Sequence, residues 1–279
     1  MKKVIALDIG GTNTRVALVN EAYEIESELI YDTVGNDVGA FLENVAKVIV
    51  DGVKSFDDVV AISAGVPGRV RVDGFIDALP NVGINDVPLR EFLENRFHLP
   101  AFVANDAEVA SLAEANVGPL KDNPSLYFVT ISTGVGGALT RQGKLIHSSY
   151  EVGHTLTEYQ GKLYEFEHLA SGTGLVLLSS LNNLNVKNAK EFFHLVKAKD
   201  PLALKVKKDW ISLLSGWISL IQETFNPKVY ALTGGVMKSA ELFYEDLKAS
   251  CPNSKLEFAG CGQRAGLYGA AVLGFQKAR

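Results

Sequence analysis

Near its start the chain reads Val4-Ile5-Ala6-Leu7-Asp8-Ile9-Gly10-Gly11-Thr12-Asn13-Thr14-Arg15-Val16-Ala17-Leu18-Val19. An apolar run, a Gly/Thr tip and a second apolar run predict a hairpin of two buried strands. The order returns later: Leu126 to Ser132, then Gly134-Val135-Gly136-Gly137, then Ala138 to Arg141. Such spacing marks a duplicated long unit rather than a solenoid repeat of about 20–50 residues.

Helices and strands alternate after each hairpin. Ile25 to Tyr31, Val59 to Ser63 and Ala101 to Ala104 read as strands, and Leu89 to Phe97 as a helix. Phe41, Leu42, Val45 and Ile49 give Val38 to Val50 one apolar helical face. In the second half, helices are expected over Ala189 to Lys199, Leu202 to Phe225, Ala240 to Ser250 and Ala265 to Lys277, with a strand over Val229 to Thr233. Trp210 and Trp217, seven apart among leucines and isoleucines, read as the buried stripe of a long helix. Two α/β lobes with a cleft between them are therefore expected, 1–106 and 107–279. The helix over Ala107 to Ala115 is expected to cross between them, and the closing helix to pack back on the first lobe.

With 279 residues, 47% hydrophobic and 21% charged, the chain can bury full cores and is not disordered. A formal charge of -5 argues against a nucleic-acid partner held by bulk charge. Only Cys251 and Cys261 are present, too few for a disulfide scaffold or a four-cysteine zinc site, which fits a reducing compartment. No run of about 18 apolar residues suggests a membrane span. The expected setting is the cytoplasm, with no membrane partner.

The tips carry the chemistry. Gly10 and Gly11 lack a Cβ, so backbone N–H groups can close on phosphate oxygens, and Thr12 and Thr14 add hydroxyls. Asp8, at a strand end, could hold a hydrated magnesium ion. A plain tight turn explains one such tip equally well; two in matched positions, the second with Thr133 and Gly134, favour phosphate. Neither tip has P-loop or dinucleotide-fold spacing. Asn105-Asp106 opens a helix. It reads either as a cap, with Asn105 and Glu108 at capping-box spacing, or as a general base with an orienting neighbour. Glu151-Val152-Gly153-His154 and Glu167 offer further polar groups for a polyol. Gly234-Gly235 reads as a strand-to-helix turn or a nucleotide approach.

DIGGTNTRVALV resembles the first phosphate motif of the actin/hexokinase ATPase superfamily. Thr-Gly-Val-Gly-Gly resembles the second, and Thr233-Gly234-Gly235-Val236 the adenosine motif. The residues together resemble the ROK family of sugar kinases, from the first strand to Ala265-Gly266-Leu267-Tyr268-Gly269-Ala270-Ala271. The resemblance implies an α/β, two-lobed actin-like ATPase fold, a duplicated ribonuclease H-like design with an interlobe cleft. It implies Asp106 as the catalytic base. It places Gly65, Asn81, Asn105, Asp106, Glu151, His154 and Glu167 at the sugar. It places Asp8, Gly10, Gly11, Thr12, Asn13, Thr14, Thr133, Gly134, Gly234 and Gly235 at the nucleotide. Asp8 would reach Mg2+ through water.

The family's zinc-binding cysteines are missing, since 155–166 contains none, so no structural zinc is expected. The implied function is an ATP-dependent hexose kinase phosphorylating the 6-OH of glucose, acting as a homodimer. N-acetylmannosamine kinase or broad-specificity hexokinase is the alternative. A sugar-responsive transcriptional regulator is disfavoured, because the first strand begins by Val4 and leaves no room for a helix-turn-helix domain.

Overall fold

The computed structural model describes residues 1–147 and 152–278, so Glu151 lies outside the described residues. The chain forms two compact units. One holds Met1–Asp122, Gly143–Leu145 and Gly260–Arg279; the other holds Asn123–Gln142 and Ile146–Ala259. This partition differs from a single division after residue 106. The helix Asp106–Asn116, expected to cross between lobes, lies wholly in the first unit together with the closing helix Ala265–Lys277.

In the first unit, Lys3–Ile9, Asn13–Asn20 and Ile25–Asp32 form an antiparallel meander. Val59–Val66 and Ala101–Asn105 continue that sheet in parallel from Lys3–Ile9. The register sets Asp8 opposite Arg15 on one side and beside Gly65 on the other, with Val66 beside Asn105. Asp8, Gly65 and Asn105 therefore share the carboxyl edge of the parallel strands, where open α/β sheets bind ligands. The helix Val38–Gly52 buries Phe41, Leu42, Val45 and Ile49 as its periodicity predicts, and Asp37 caps it through Ala40 N at 2.6 Å.

The helices Asp106–Asn116 and Ala265–Lys277 have no clean stripe because both are buried nearly all round. They can approach closely because position 269 is glycine: a Cβ there would stand 1.6 Å from the Val109 carbonyl oxygen.

The second unit repeats the design. Ser125–Ile131 and Val135–Arg141 form the hairpin, and Val229–Thr233 and Leu256–Phe258 extend it in parallel. The 25-residue helix Pro201–Phe225 buries Trp210 and Trp217, as expected. Trp210 Nε1 donates to the Ala170 carbonyl at 2.8 Å, and Trp217 stacks on Phe166 at 4.8 Å.

One expected helix is broken. Residues 240–250 are not continuous: a 3-10 segment, Gly235–Leu242, meets the helix Tyr244–Ser250 at Phe243, whose φ is -149°. Phe243 is buried against Trp210 and Phe193, at 4.9 and 5.5 Å. Placing that ring in the core outweighs helix continuity. The structure also adds a small sheet, Arg69–Val70, Ile76–Leu79 and Ile84–Val87, and a hairpin, Leu156–Tyr159 with Lys162–Glu165. Strands of two to four residues are too short to show a period.

Candidate active site

In the first unit the hairpin tip is closed by Gly10 N–H on the Asn13 carbonyl at 2.8 Å. Thr12 and Asn13 face outward, and Gly11 is half-buried. Thr14 does not: it is fully buried, its hydroxyl 2.9 Å from that of Thr33. Thr33 in turn donates to the Gly10 carbonyl at 2.8 Å, so Thr14 braces the tip from behind. Asn81 stands beside the tip: a Cβ on Gly11 would meet Asn81 Cβ at 2.8 Å.

Asp8 points at the start of the closing helix. A Cβ on Gly266 would lie 2.4 Å from Asp8 Cγ. Burial pushes the Asp8 carboxyl up, and the Arg15 guanidinium opposes the rise. No hydrogen bond or ion pair to a described residue engages that carboxylate. A partly dehydrated carboxylate with no hydrogen-bond partner among the described residues, beside a glycine tip, has the donor chemistry that a hydrated Mg2+ would need.

Asn105 caps its helix with a full capping box. Its Oδ1 accepts from Ala107 N at 2.9 Å, and Glu108 Oε2 accepts from Asn105 N at 3.2 Å. Its Nδ2 also donates to the Gly68 carbonyl at 2.9 Å, tying the turn after Val59–Val66 to the helix. One Nδ2 hydrogen is left for a ligand. Capping and ligand contact are thus compatible. Gly65 packs inward, since a Cβ there would strike Val109 Cγ2 at 2.5 Å.

Asp106, the first helical residue, accepts from Ala107 N at 2.8 Å. It keeps accessible surface, yet protein crowds the carboxylate. Lost hydration pushes it up to about 6, the nearby Asp8 charge adds to the rise, and the Ala107 amide holds it down. Asp106 is thus amide-bound, whereas Asp8 has no hydrogen-bond partner among the described residues.

In the second unit Ser132 gathers three loops. Its N–H donates to the Gly134 carbonyl at 2.8 Å, its carbonyl accepts from Gly172 N at 2.7 Å, and its hydroxyl accepts from Gly235 N at 3.3 Å. Thr133 is exposed at the tip. Gly234 requires its glycine: φ is +105°, and a Cβ would meet Ile131 O at 2.2 Å. Glu167 Oε2 accepts from Val135 N at 3.2 Å and fills the space beside Gly134. His154 Nδ1 lies 2.8 Å from Glu165 Oε2, with His168 Nε2 3.6 Å from the same oxygen. Ligating atoms of His154, Glu165 and Glu167 lie within 4.8 Å of one another.

The structure therefore groups Asp8, Gly10 to Asn13, Asn81, Asn105 and Asp106 in one unit, and Thr133, Gly134, His154, Glu167, Gly234 and Gly235 in the other. Sequence reasoning missed Glu165, Thr33 and Gly266. Glu165 pairs with Leu156 in the short hairpin, and only a period-two reading of 156–165 would have put it near His154.

Residues 4–277 match the ROK family profile.

The chain belongs to the ROK family.

It is 27% identical to a glucokinase of Halalkalibacterium halodurans, covering 96% of this chain and 94% of that one. It is 27% identical to an N-acetyl-D-glucosamine kinase of Vibrio vulnificus, covering 95% and 97%. The structure superposes on a ROK hexokinase of Thermus thermophilus with a TM-score of 0.84 and 26% identity, over 99% and 98% of the two chains. This ROK protein has the actin-like ATPase fold that the resemblance implied.

Proposed function

We propose that this ROK protein is an ATP-dependent hexose kinase that transfers the γ-phosphoryl group to a sugar hydroxyl, the 6-OH of glucose. One observation carries the reading. Asp106 opens a helix beside Asn105 at the carboxyl edge of the parallel strands, where a carboxylate can meet an acceptor hydroxyl, and crowding raises it to about 6, so it is ionised at neutral pH and still basic enough to take a proton. Kinase activity in both relatives and in the superposed hexokinase supports it.

In this reading the acceptor hydroxyl gives its proton to Asp106 while its oxygen bonds to the γ-phosphorus. The bond from that phosphorus to the β–γ bridging oxygen breaks, and ADP leaves. The transition state is loose, so alignment and charge stabilisation contribute more than the base. Gly10, Gly11, Thr12 and Asn13 offer backbone and side-chain donors to phosphate oxygens, Thr133 and Gly134 are assigned the same duty, and Gly234-Gly235 admits the adenosine. Asp8 would hold a hydrated Mg2+, which would supply neutralisation of phosphate charge. Asn105, Asn81, His154 and Glu167 orient the sugar, and Gly65 shapes its surroundings through Val109.

The N-acetyl-D-glucosamine kinase among the relatives supports N-acetylhexosamines as a second acceptor class, and N-acetylmannosamine is the main alternative. Epimers differ by one hydroxyl, and a site built to pair that hydroxyl discriminates strongly. Coupled ADP release measured across a dozen hexoses and N-acetylhexosamines decides between them, and no sugar-dependent release above background would sink the kinase reading. Family resemblance also supports a cytoplasmic homodimer, which sedimentation tests, and a gel shift tests the regulator alternative. No helix among the described residues is long and apolar enough to cross a membrane.

A further inference from the structure

Glu114 is fully buried in the last turn of the helix Asp106–Asn116. Both of its oxygens are used. Oε2 accepts from Gly260 N at 3.0 Å, and Oε1 accepts from Cys261 N at 2.6 Å. The surroundings are tight: a Cβ on Gly118 would meet Glu114 Oε2 at 2.4 Å, and one on Gly260 would meet Pro119 Cγ at 2.3 Å.

The gripped residues open the segment that leads into the closing helix. Arg15 Nη1 holds the Gln263 carbonyl at 3.0 Å, and Arg264 pairs with Glu28 at 2.9 Å. Two residues later Gly266 packs against the Asp8 carboxylate. Any shift of this helix start therefore moves Asp8 or opens a gap beside it.

A buried carboxylate is weak evidence for stability, because apolar residues of similar volume often serve as well. Here the two bonds fix a loop, and the loop fixes a helix start.

We propose that Glu114 is a positioning residue: by clamping Gly260 and Cys261 it sets the start of the closing helix against Asp8, and so aims the Asp8 carboxylate at the cation. The inference rests on the reading of Asp8 as the residue that holds hydrated Mg2+. One helix then references both carboxylates of the reaction. It carries Asp106 at its first residue and places Asp8 through Glu114, about 12 Å along its axis.

The test uses the whole protein. Glu114→Gln keeps the volume and one acceptor oxygen. Its half-saturating Mg2+ concentration for turnover should rise by up to about 10-fold, the low end of the cost of losing a direct partner of a metal ligand, because Glu114 acts through the loop. Calorimetric sugar binding should stay unchanged. Without nucleotide or metal, amide exchange should quicken from Gly260 to Leu267. Adding Asp8→Asn to Glu114→Gln should cost no more than Asp8→Asn alone. Leu93→Ala, at a buried site in another helix, should lower stability without moving the Mg2+ dependence. If Glu114→Gln does not fold, Glu114→Asp keeps the charge, shortens the reach and takes its place.

An unmoved Mg2+ dependence in the folded Glu114 variant, additive losses in the double variant, or an equal shift in Leu93→Ala would overturn the proposal. If Asp8→Asn itself left the Mg2+ dependence unchanged, the Asp8 reading would fall and take the proposal with it. That result is distinct from an Asp8 effect without a Glu114 effect.

Discussion

Glu167 Oε2 accepts a hydrogen bond from the backbone amide of Val135 at 3.2 Å. A residue assigned to the sugar thus also holds the second hairpin at the residue after Gly134. The two duties separate by substitution. Glu167→Gln keeps an acceptor for Val135 N–H but loses the charge, whereas Glu167→Ala loses both. We expect Glu167→Gln to raise the sugar KM with little change in the nucleotide KM, and Glu167→Ala to raise both. Equal behaviour of the two variants in steady-state kinetics would count against the double role.

Asp106→Asn should lower kcat by about 10²–10⁴, the usual contribution of a positioned base. Sugar binding should remain measurable by calorimetry, because Asn keeps an oxygen for Ala107 N. Near-normal turnover would refute the assignment.

The raised Asp106 carboxyl also predicts two pH effects of known sign. Activity should fall as the pH drops through about 6, where the base takes up its proton. Stability moves the other way. The folded group binds its proton more tightly than a free aspartate does, so its contribution is full below the free aspartate's range and is lost as pH rises through about 6. Asp106→Asn cannot ionise. Its Tm should exceed that of the parent at neutral pH, and the gain should shrink toward pH ~4. A constant Tm difference across that range would contradict the assignment.

Two glycines three residues apart in the closing helix should respond differently to alanine. At position 269 the new Cβ would meet backbone, the Val109 carbonyl oxygen at 1.6 Å, and two helices must move apart. We expect a loss of about 1–3 kcal/mol or more from overpacking, seen in denaturant unfolding. At position 266 the Cβ would meet the Asp8 side chain, which can rotate. Gly266→Ala should fold near-normally, bind sugar, and need more Mg2+ for half-maximal rate. Equal destabilisation at both positions would remove the distinction.

Much was legible in the chain itself. The hairpins Lys3–Ile9 with Asn13–Asn20 and Ser125–Ile131 with Val135–Arg141 join neighbouring residues, so local pattern predicts them. The Asn105 cap is equally local, its partners lying two and three residues away. Both tryptophans announced the core of a long helix by period. What failed were short or compromised elements. The helix expected to run through Phe243 broke because core packing took the ring, and the crossing helix proved to belong to the first unit because its small residues pack on Ala265–Lys277.

The sequence by itself determined the two glycine tips, the Asn-Asp pair that opens a helix, and the family to which they belong, because each is written in adjacent residues. Only the tertiary structure decided which way those groups face. It turned Thr14 inward onto Thr33, laid Glu167 on Val135, set Gly266 against Asp8, and brought Glu114 to amides 146 and 147 positions away. Contacts over such separations come from packing two helices and closing a sheet, and no local pattern of residues encodes the distance or direction that results.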